Sequence, residues 1–595
     1  MRRCVVLPSV ILVCLFLGLS GSFTRAAEKQ SGAKTAADFF PASTIAYAEL
    51  RQPMALMDLI LEHPLRQRVE QFDQVRELLE SPQYTQFRAI VTLIERQIGM
   101  KWKDALATLI EGGVSVGFDP KTEGFAVVIR SKNQEGLEKL RDSFLKLARD
   151  EAQRQGNEDP IKTVEYRGIT AYSAADAKFA TVGPWLVLVN NDELGKAVLD
   201  NYLDGNENSL ASDDQFQASR KLIEGEPTVW AYFNVAAFRA ANADSPLYKK
   251  KTDNVLIELL IGGMLGTIQN TPYAVSSLDI TKHGIAFKVA APHDPAWVGE
   301  EREYFFGPGG KGAALPLLRP KQTILSLSTY RNFSGMWLRS ADIFEDNVDA
   351  GFAQASGVLS TFFSGKDFGE DILGSFKPEV QIVAARQQFE ESSPIPAVKI
   401  PAFAVIFRFK EPEKMRSEFR RTFLSLIGFL NVIGAQNGQP QLDLDFEKTG
   451  ETRIITSTYV PEADEKNSKR AKINFNFSPS VGFVGDYLIV SSTKQFVREL
   501  VELAEKPKLS GEGKENAITT NTQLETDLSV VRDALEDNRK QLVARNMLSE
   551  GRDKAEAEKQ IGILLEALGL LRNVSLQLST SSKTIQFELE IKLAK

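Results

Sequence analysis

Ser115 is the residue whose surroundings come nearest to a reaction pattern. Gly113-Val114-Ser115-Val116-Gly117 fits G-x-S-x-G, in which a serine on a sharp strand-to-helix turn attacks a carbonyl with help from a histidine and an acid. The context differs: the pentapeptide runs into Phe118-Asp119-Pro120 and a second apolar run, as one arm of a hairpin would. Asp443, Asp445 and Glu447 alternate with Leu442, Leu444 and Phe446, so a strand would carry three carboxylates on one face, oxygen ligands suited to a divalent cation. A solvent-facing strand shows the same alternation, and no glycine turn or loop-spaced ligand accompanies it. Gly309-Gly310-Lys311-Gly312 suggests a phosphate loop, but glycine stands where the hydroxyl residue should follow the lysine. No catalytic, cofactor-binding or metal-binding residue is therefore assigned, and no cofactor is expected.

The remaining chemistry is sparse. Cys4 and Cys14 are the only cysteines and both fall in the first residues, where Arg2, Arg3, the apolar stretch Val5 to Leu19 and Thr24-Arg25-Ala26 read as a secretory signal ending at residue 26. A mature chain starting near Ala27 would have no disulfide, thiol nucleophile or thiolate-bound metal. An uncleaved anchor is disfavoured, because the apolar run of about 15 residues, broken by Pro8, falls short of the roughly 20 that span a bilayer. His63, His283 and His293 have no pair at the i, i+4 spacing that shares a helix face. Glu462, Asp464 and Glu465 sit among Lys466, Lys469 and Arg470, a self-neutralising loop. Asn332, Asn476 and Asn573 open glycosylation-type tripeptides, relevant only on a eukaryotic export route.

The chain carries 71 basic and 78 acidic residues, a formal charge of −7; losing Arg2, Arg3 and Arg25 leaves 68 basic residues and −10. Basic residues are scattered, with Glu418 interrupting Arg416 to Arg421, so no cationic stripe tracks phosphates and a nucleic-acid partner is disfavoured.

The elements that must position these residues come as two similar halves. Pro41-x-x-Thr44-Ile45 is echoed by Pro320-x-x-Thr323-Ile324, and Asp104-Ala105-Leu106 by Asp371-Ile372-Leu373. The strand Phe125 to Arg130 is echoed by Phe403 to Arg408, and Val182-Gly183-Pro184-Trp185 by Val484-Gly485-Asp486-Tyr487. Alternating runs at Ile285 to Val289 and Ile585 to Leu589 close the halves, each after a helix too apolar for the surface, around Leu259-Leu260 and Leu564-Leu565. Strand pairs followed by helices predict an α+β fold: a tandem duplication, each half an antiparallel sheet with helices packed mainly on one face. The expected boundaries are a signal at 1–26, an N-terminal linker at 27–37, a first repeat domain at 38–300, a Gly/Pro-rich linker at 301–318 and a second repeat domain at 319–595. Leu524, Leu528, Val531, Leu535 and Leu542 predict a helical hairpin near 518–571.

At the repeated P-x-x-T-I opening, the Asp-x-Leu helix end and the F-A-V strand, the chain resembles an uncharacterised family of exported bacterial proteins. The resemblance implies a periplasmic or extracellular α+β repeat protein and brings no reaction with it. The sequence thus predicts a non-enzymatic exported binding or scaffold protein whose partner is a protein or an apolar small molecule. The alternatives are a carrier enclosing an apolar ligand or lipid between the sheets and the helices near Leu260 and Leu565, and a hydrolase using Ser115 or Asp445.

Overall fold

The computed structural model describes residues 34–174, 177–205, 208–242, 249–389, 394–450, 452–462, 468, 471–505 and 519–594. The expected signal, Cys4, Cys14, residues 27–33 of the expected linker, and Asp464, Glu465, Lys466, Lys469 and Arg470 lie outside the described residues. The fold is α+β with antiparallel sheet, and the chain divides into two compact units. The first holds residues up to 242 with 271–291, and the second holds 243–270 and 292–595.

In the first unit the strands are β1 (Ala46–Leu50), β2 (Val114–Asp119), β3 (Gly124–Arg130), β4 (Ile161–Tyr166), β5 (Ile169–Ala174), β6 (Ala177–Val182), β7 (Trp185–Val189), β8 (Val229–Phe233), β9 (Ala274–Thr281) and β10 (Gly284–Pro292). Their order across the sheet is β4-β5-β6-β7-β3-β2-β1-β8-β9-β10, with every pairing antiparallel. Alternate strand residues share a face. Tyr47, Ala126, Val128, Val187, Trp230, Tyr232 and Val275 accordingly meet Leu194 and Val198 of helix α1 (Asp192–Asp204), together with Phe39, Phe40 and Phe216, in one buried cluster. The Pro41-x-x-Thr44 motif is a turn feeding β1, with the Thr44 amide donating to the Pro41 carbonyl at 3.0 Å.

The second unit has β11 (Thr323–Tyr330), β12 (Glu379–Ala385), β13 (Ala402–Arg408), β14 (Leu442–Thr449), β15 (Thr452–Tyr459), β16 (Ser480–Val484), β17 (Tyr487–Ser491), β18 (Thr519–Asp527), β19 (Leu571–Thr580) and β20 (Thr584–Leu593). Its order is β14-β15-β16-β17-β13-β12-β11-β18-β19-β20, again antiparallel throughout. Strand for strand this is the order of the first unit.

Helices cover both faces of the second sheet, and this corrects the expected one-sided packing. Helix α2 (Pro412–Gln436) presents Met415, Phe419, Phe423 and Ile427 at four-residue spacing to Phe407, Ile455, Val481 and Leu488. Helix α3 (Lys494–Glu505) buries Phe496, Val497, Leu500 and Val501 against Ala404, Ile406, Ile454 and Ile489. Neighbouring residues such as Ile454 and Ile455 therefore point into different clusters. A continuous apolar run is what a strand buried on both faces requires, whereas a one-sided strand would alternate.

Three further expectations change. Residues 301–318 do not behave as a linker: Tyr304, Phe305 and Phe306 are buried, and Asn521 Nδ2 donates to the Phe305 carbonyl at 2.8 Å. Gly307, at φ 70°, turns the chain, and a Cβ on Gly312 would lie 2.6 Å from the Tyr330 ring. These glycines are needed for a tight, packed loop. Around Leu259-Leu260 the buried face of helix Val255–Asn270 is formed largely by Glu258, Gly262, Gly263 and Gly266, while Leu260 is 70 % exposed. In the C-terminal hairpin Leu524 belongs to β18, and the first helix starts only at Leu528, where the Asp527 carboxylate accepts from the Ser529 amide. Val543, Ala557, Ile561 and Leu565 then pack with Leu535 and Leu542, so the hairpin buries its own stripe. Among the described residues no helix is long and apolar enough to cross a membrane.

Candidate functional site

The site of interest is a cleft of about 760 Å³ in the first unit, where the ends of β1, β2, β3 and β7 meet the segment before β1 and the short helix Asp214–Ser219 that holds Phe216. Its centre is Glu49 on β1. Arg220 donates to both carboxylate oxygens, Nη1 to Oε1 at 2.6 Å and Nη2 to Oε2 at 2.7 Å, and Arg51 Nε donates to Oε1 at 2.7 Å. The Arg220 guanidinium also lies 3.8 Å from the Trp230 ring centroid, so its plane is held by stacking as well as by the fork. Burial opposes ionisation of Glu49, but the bonds and charges of Arg220 and Arg51 outweigh it and hold the carboxyl below its ordinary range.

Ser115 faces this group across the β1–β2 ladder, paired in register with Glu49. It is buried, with Oγ 3.2 Å from the Tyr47 hydroxyl, which itself lies 3.0 Å from Glu49 Oε2. Burial and the Glu49 charge push the Tyr47 phenol far above its ordinary value, so it stays protonated and does not serve as a base. Both motif glycines have structural explanations. Gly113 takes φ 111° ahead of the strand, and a Cβ on Gly117 would stand 2.6 Å from the Phe40 ring. Gly117→Ala should therefore destabilise the first unit by about 1–3 kcal/mol through overpacking; a denaturant midpoint within error of wild type would contradict this.

The other predicted residues lie apart from Ser115. His63 Nε2 is 3.1 Å from the Lys282 carbonyl, and His283 sits in the β9–β10 turn. His293, in the second unit, is buried with Nδ1 2.8 Å from Thr267 Oγ1. Asp443, Asp445 and Glu447 do lie on β14, but Glu447 is taken by Arg498 Nε at 2.8 Å and Asp445 Oδ1 accepts from the Phe446 amide at 2.7 Å. Among the described residues no group of three His, Cys, Asp or Glu side chains could hold a metal ion. Asn476 is buried and bonds the Val398 and Ile473 carbonyls, which leaves its amide no access for a glycan.

Burial lowers the pKa of His293 below its ordinary 6.5, against a smaller upward pull from Asp294. The unfolded chain then takes up the proton first as pH falls, so the contribution of neutral His293 is intact above about 6.5 and is lost on acidification toward its lowered folded value. The second unit should melt earlier at pH 5 than at pH 8, and His293→Gln should flatten that dependence; an unchanged slope in the variant would contradict it.

The sequence reading passed over Arg130, at the end of β3. Its guanidinium lies 5.5 Å from the Trp185 ring centroid, and among the described residues no carboxylate is within ion-pair distance. In the second unit Arg408 sits at the same strand position, 5.4 Å from the Tyr487 ring, but pairs with Asp486 at 2.7 Å and Glu379 at 3.8 Å. Part of the signal lay in the echoed sequences, where Pro184 stands opposite Asp486; the strand register adds that Gly113 lies beside Arg130 where Glu379 lies beside Arg408.

No family model matches the chain, and no curated protein matches it. Among solved structures, crystal forms III and IV of TP0453 are each 10 % identical and crystal form I is 12 % identical. They cover 44 %, 43 % and 44 % of this chain and 80 %, 79 % and 79 % of theirs, each with a TM-score of 0.22, too low to define fold or function here.

Proposed function

We propose that this chain is a non-enzymatic exported binding protein whose ligand site is the cleft of the first unit. The cleft carries the reading: about 760 Å³ suits a small molecule, and a few charged groups of fixed position line it. The hydroxyl of Ser115 favours binding over hydrolysis, because its polar neighbour is a protonated phenol and not an imidazole. The common strand order supports a tandem duplication, with one copy keeping its arginine neutralised and the other leaving it open to a ligand. A substrate panel for ester, amide and phosphoester hydrolysis should give no turnover; turnover abolished by Ser115→Ala or Asp445→Asn would replace this reading with the hydrolase.

A second reading, a carrier or scaffold with an apolar contact, is favoured by helix α2. Beyond the side chains it buries, α2 exposes Leu426, Phe429, Leu430, Val432 and Ile433, a stretch free of charge. A lipid or protein co-purifying with wild type and released by Phe429→Glu with Val432→Glu would support that reading, and retention by the double variant would remove it.

A further inference from the structure

We infer that the first-unit cleft takes an oxyanion, the carboxylate or phosphate group of a small molecule, and that Arg130 receives the charged group. This rests on reading the cleft as a ligand site. The two units supply the comparison. Arg130 and Arg408 both stand in the last residue pair of the same strand pairings, β3 with β7 and β13 with β17, opposite Trp185 and Tyr487 respectively. The turns before those aromatic residues match: Gly183 and Gly485 both have φ 55°. The backbone bonds match as well, the Ser131 amide donating to the Pro184 carbonyl at 2.8 Å and the Phe409 amide to the Asp486 carbonyl at 2.7 Å.

Equal backbones leave the side chains as the difference. Asp486 Oδ2 accepts from Arg408 Nε at 3.0 Å, and Glu379 adds a second acid. Proline and glycine at those positions in the first unit carry no charge, so the same fork, held over an aromatic ring, is left exposed in a cleft. An exposed arginine on an open surface is merely solvated. Here the stem is seated over Gly112, whose Cβ would fall 2.6 Å from Arg130 Cγ, and the guanidinium is held against Trp185.

The charge of the lining agrees. Lys34, Arg51, Arg130 and Arg220 face Asp38 and Glu49, four cations against two anions, in a chain whose formal charge is −7. Glu49 is already satisfied by Arg51 and Arg220, which leaves the Arg130 fork as the group to meet an incoming oxyanion in bidentate geometry. Trp185 and Phe216 are buried beneath Arg130 and Arg220 and serve to hold the two guanidinium planes.

The test is isothermal titration calorimetry of the full mature chain with phenylacetate, phenyl phosphate and neutral 2-phenylethanol, repeated on Arg130→Gln and Pro184→Asp. Pro184→Asp places in the first unit the acid that neutralises Arg408, in a turn of the same geometry. We expect at least one anion to bind tenfold or more tightly than the alcohol, and to lose tenfold or more in both variants while the alcohol is unaffected and melting temperatures stay within a few degrees. The anion that binds tighter identifies the headgroup. Equal binding of anions and alcohol, insensitive to Arg130→Gln, would overturn the oxyanion inference and leave the cleft as a ligand site. Binding of none of the three would overturn both.

Discussion

Glu258→Ala is expected to cost the second unit about 3–5 kcal/mol, the usual consequence of leaving a buried charge without its partner. The Glu258 side chain is fully buried and that of Arg302 is 5 % exposed. Arg302 donates to it through Nε at 2.8 Å and Nη2 at 3.2 Å, and the Tyr304 hydroxyl lies 3.1 Å from the same carboxylate. After truncation the guanidinium would keep the Lys250 carbonyl, at 2.8 Å, and a long ion pair from Nη1 to the half-buried Glu301, at 3.8 Å. Nearby Arg331 is already poor in counter-charge: burial pushes its pKa down to about 9, and its hydrogen-bond partners are uncharged, the Leu259, Tyr330 and Phe305 carbonyls and Asn521 Oδ1. Glu301, at 3.8 Å and without a hydrogen bond to Arg302, replaces the buried fork of Glu258 only in part. Urea unfolding with an unchanged denaturant slope is the measurement. Replacing both partners by leucine should recover much of the loss, and a single-variant loss below 1 kcal/mol would show that water or rearrangement rescues the arginine.

Glu49→Gln is the second large effect, expected to destabilise the first unit by about 2–4 kcal/mol. It removes the charge that holds both Arg220 and Arg51, at a carboxylate 12 % exposed. The wild-type contribution of Glu49 has a definite pH window. Its folded pKa lies below the ordinary 4.5, so the stabilisation is present above about 4.5 and is lost as pH falls through the folded value; the glutamine variant should lack that acid-sensitive part. The same substitution raises the cleft by one positive charge. In the folded variant it should tighten anion binding, while Arg130→Gln weakens it, and that opposition separates a charge effect on the ligand from a general loss of structure.

The sheet strands were legible because they are short apolar runs bounded by turns. Phe125 to Arg130 and Phe403 to Arg408 read as the same strand in both halves, and they occupy equivalent places in the two strand orders. The second face of the sheet was harder to foresee. Ile454 and Ile455 look alike in a sequence, and only the packing of α3 on one and α2 on the other assigns them to opposite sides. Glycine misled in both directions. Gly307 and Gly312 read as a flexible joint, yet they are required where the chain passes under Tyr330; Gly117 read as half of a catalytic motif, yet it makes room for Phe40. The cleft was hidden because Arg130 is a single arginine ending an apolar strand. Its importance emerges by difference, from the acids that accompany Arg408 and are missing at Pro184 and Gly113.

The ligand site of the first unit is tested most directly by native mass spectrometry of the protein purified without detergent from the cells that make it, run beside Arg130→Gln. A discrete small-molecule adduct is expected on the wild type and is lost from the variant at equal folded content. A wild-type mass free of ligand, or an adduct equally retained by Arg130→Gln, would contradict it.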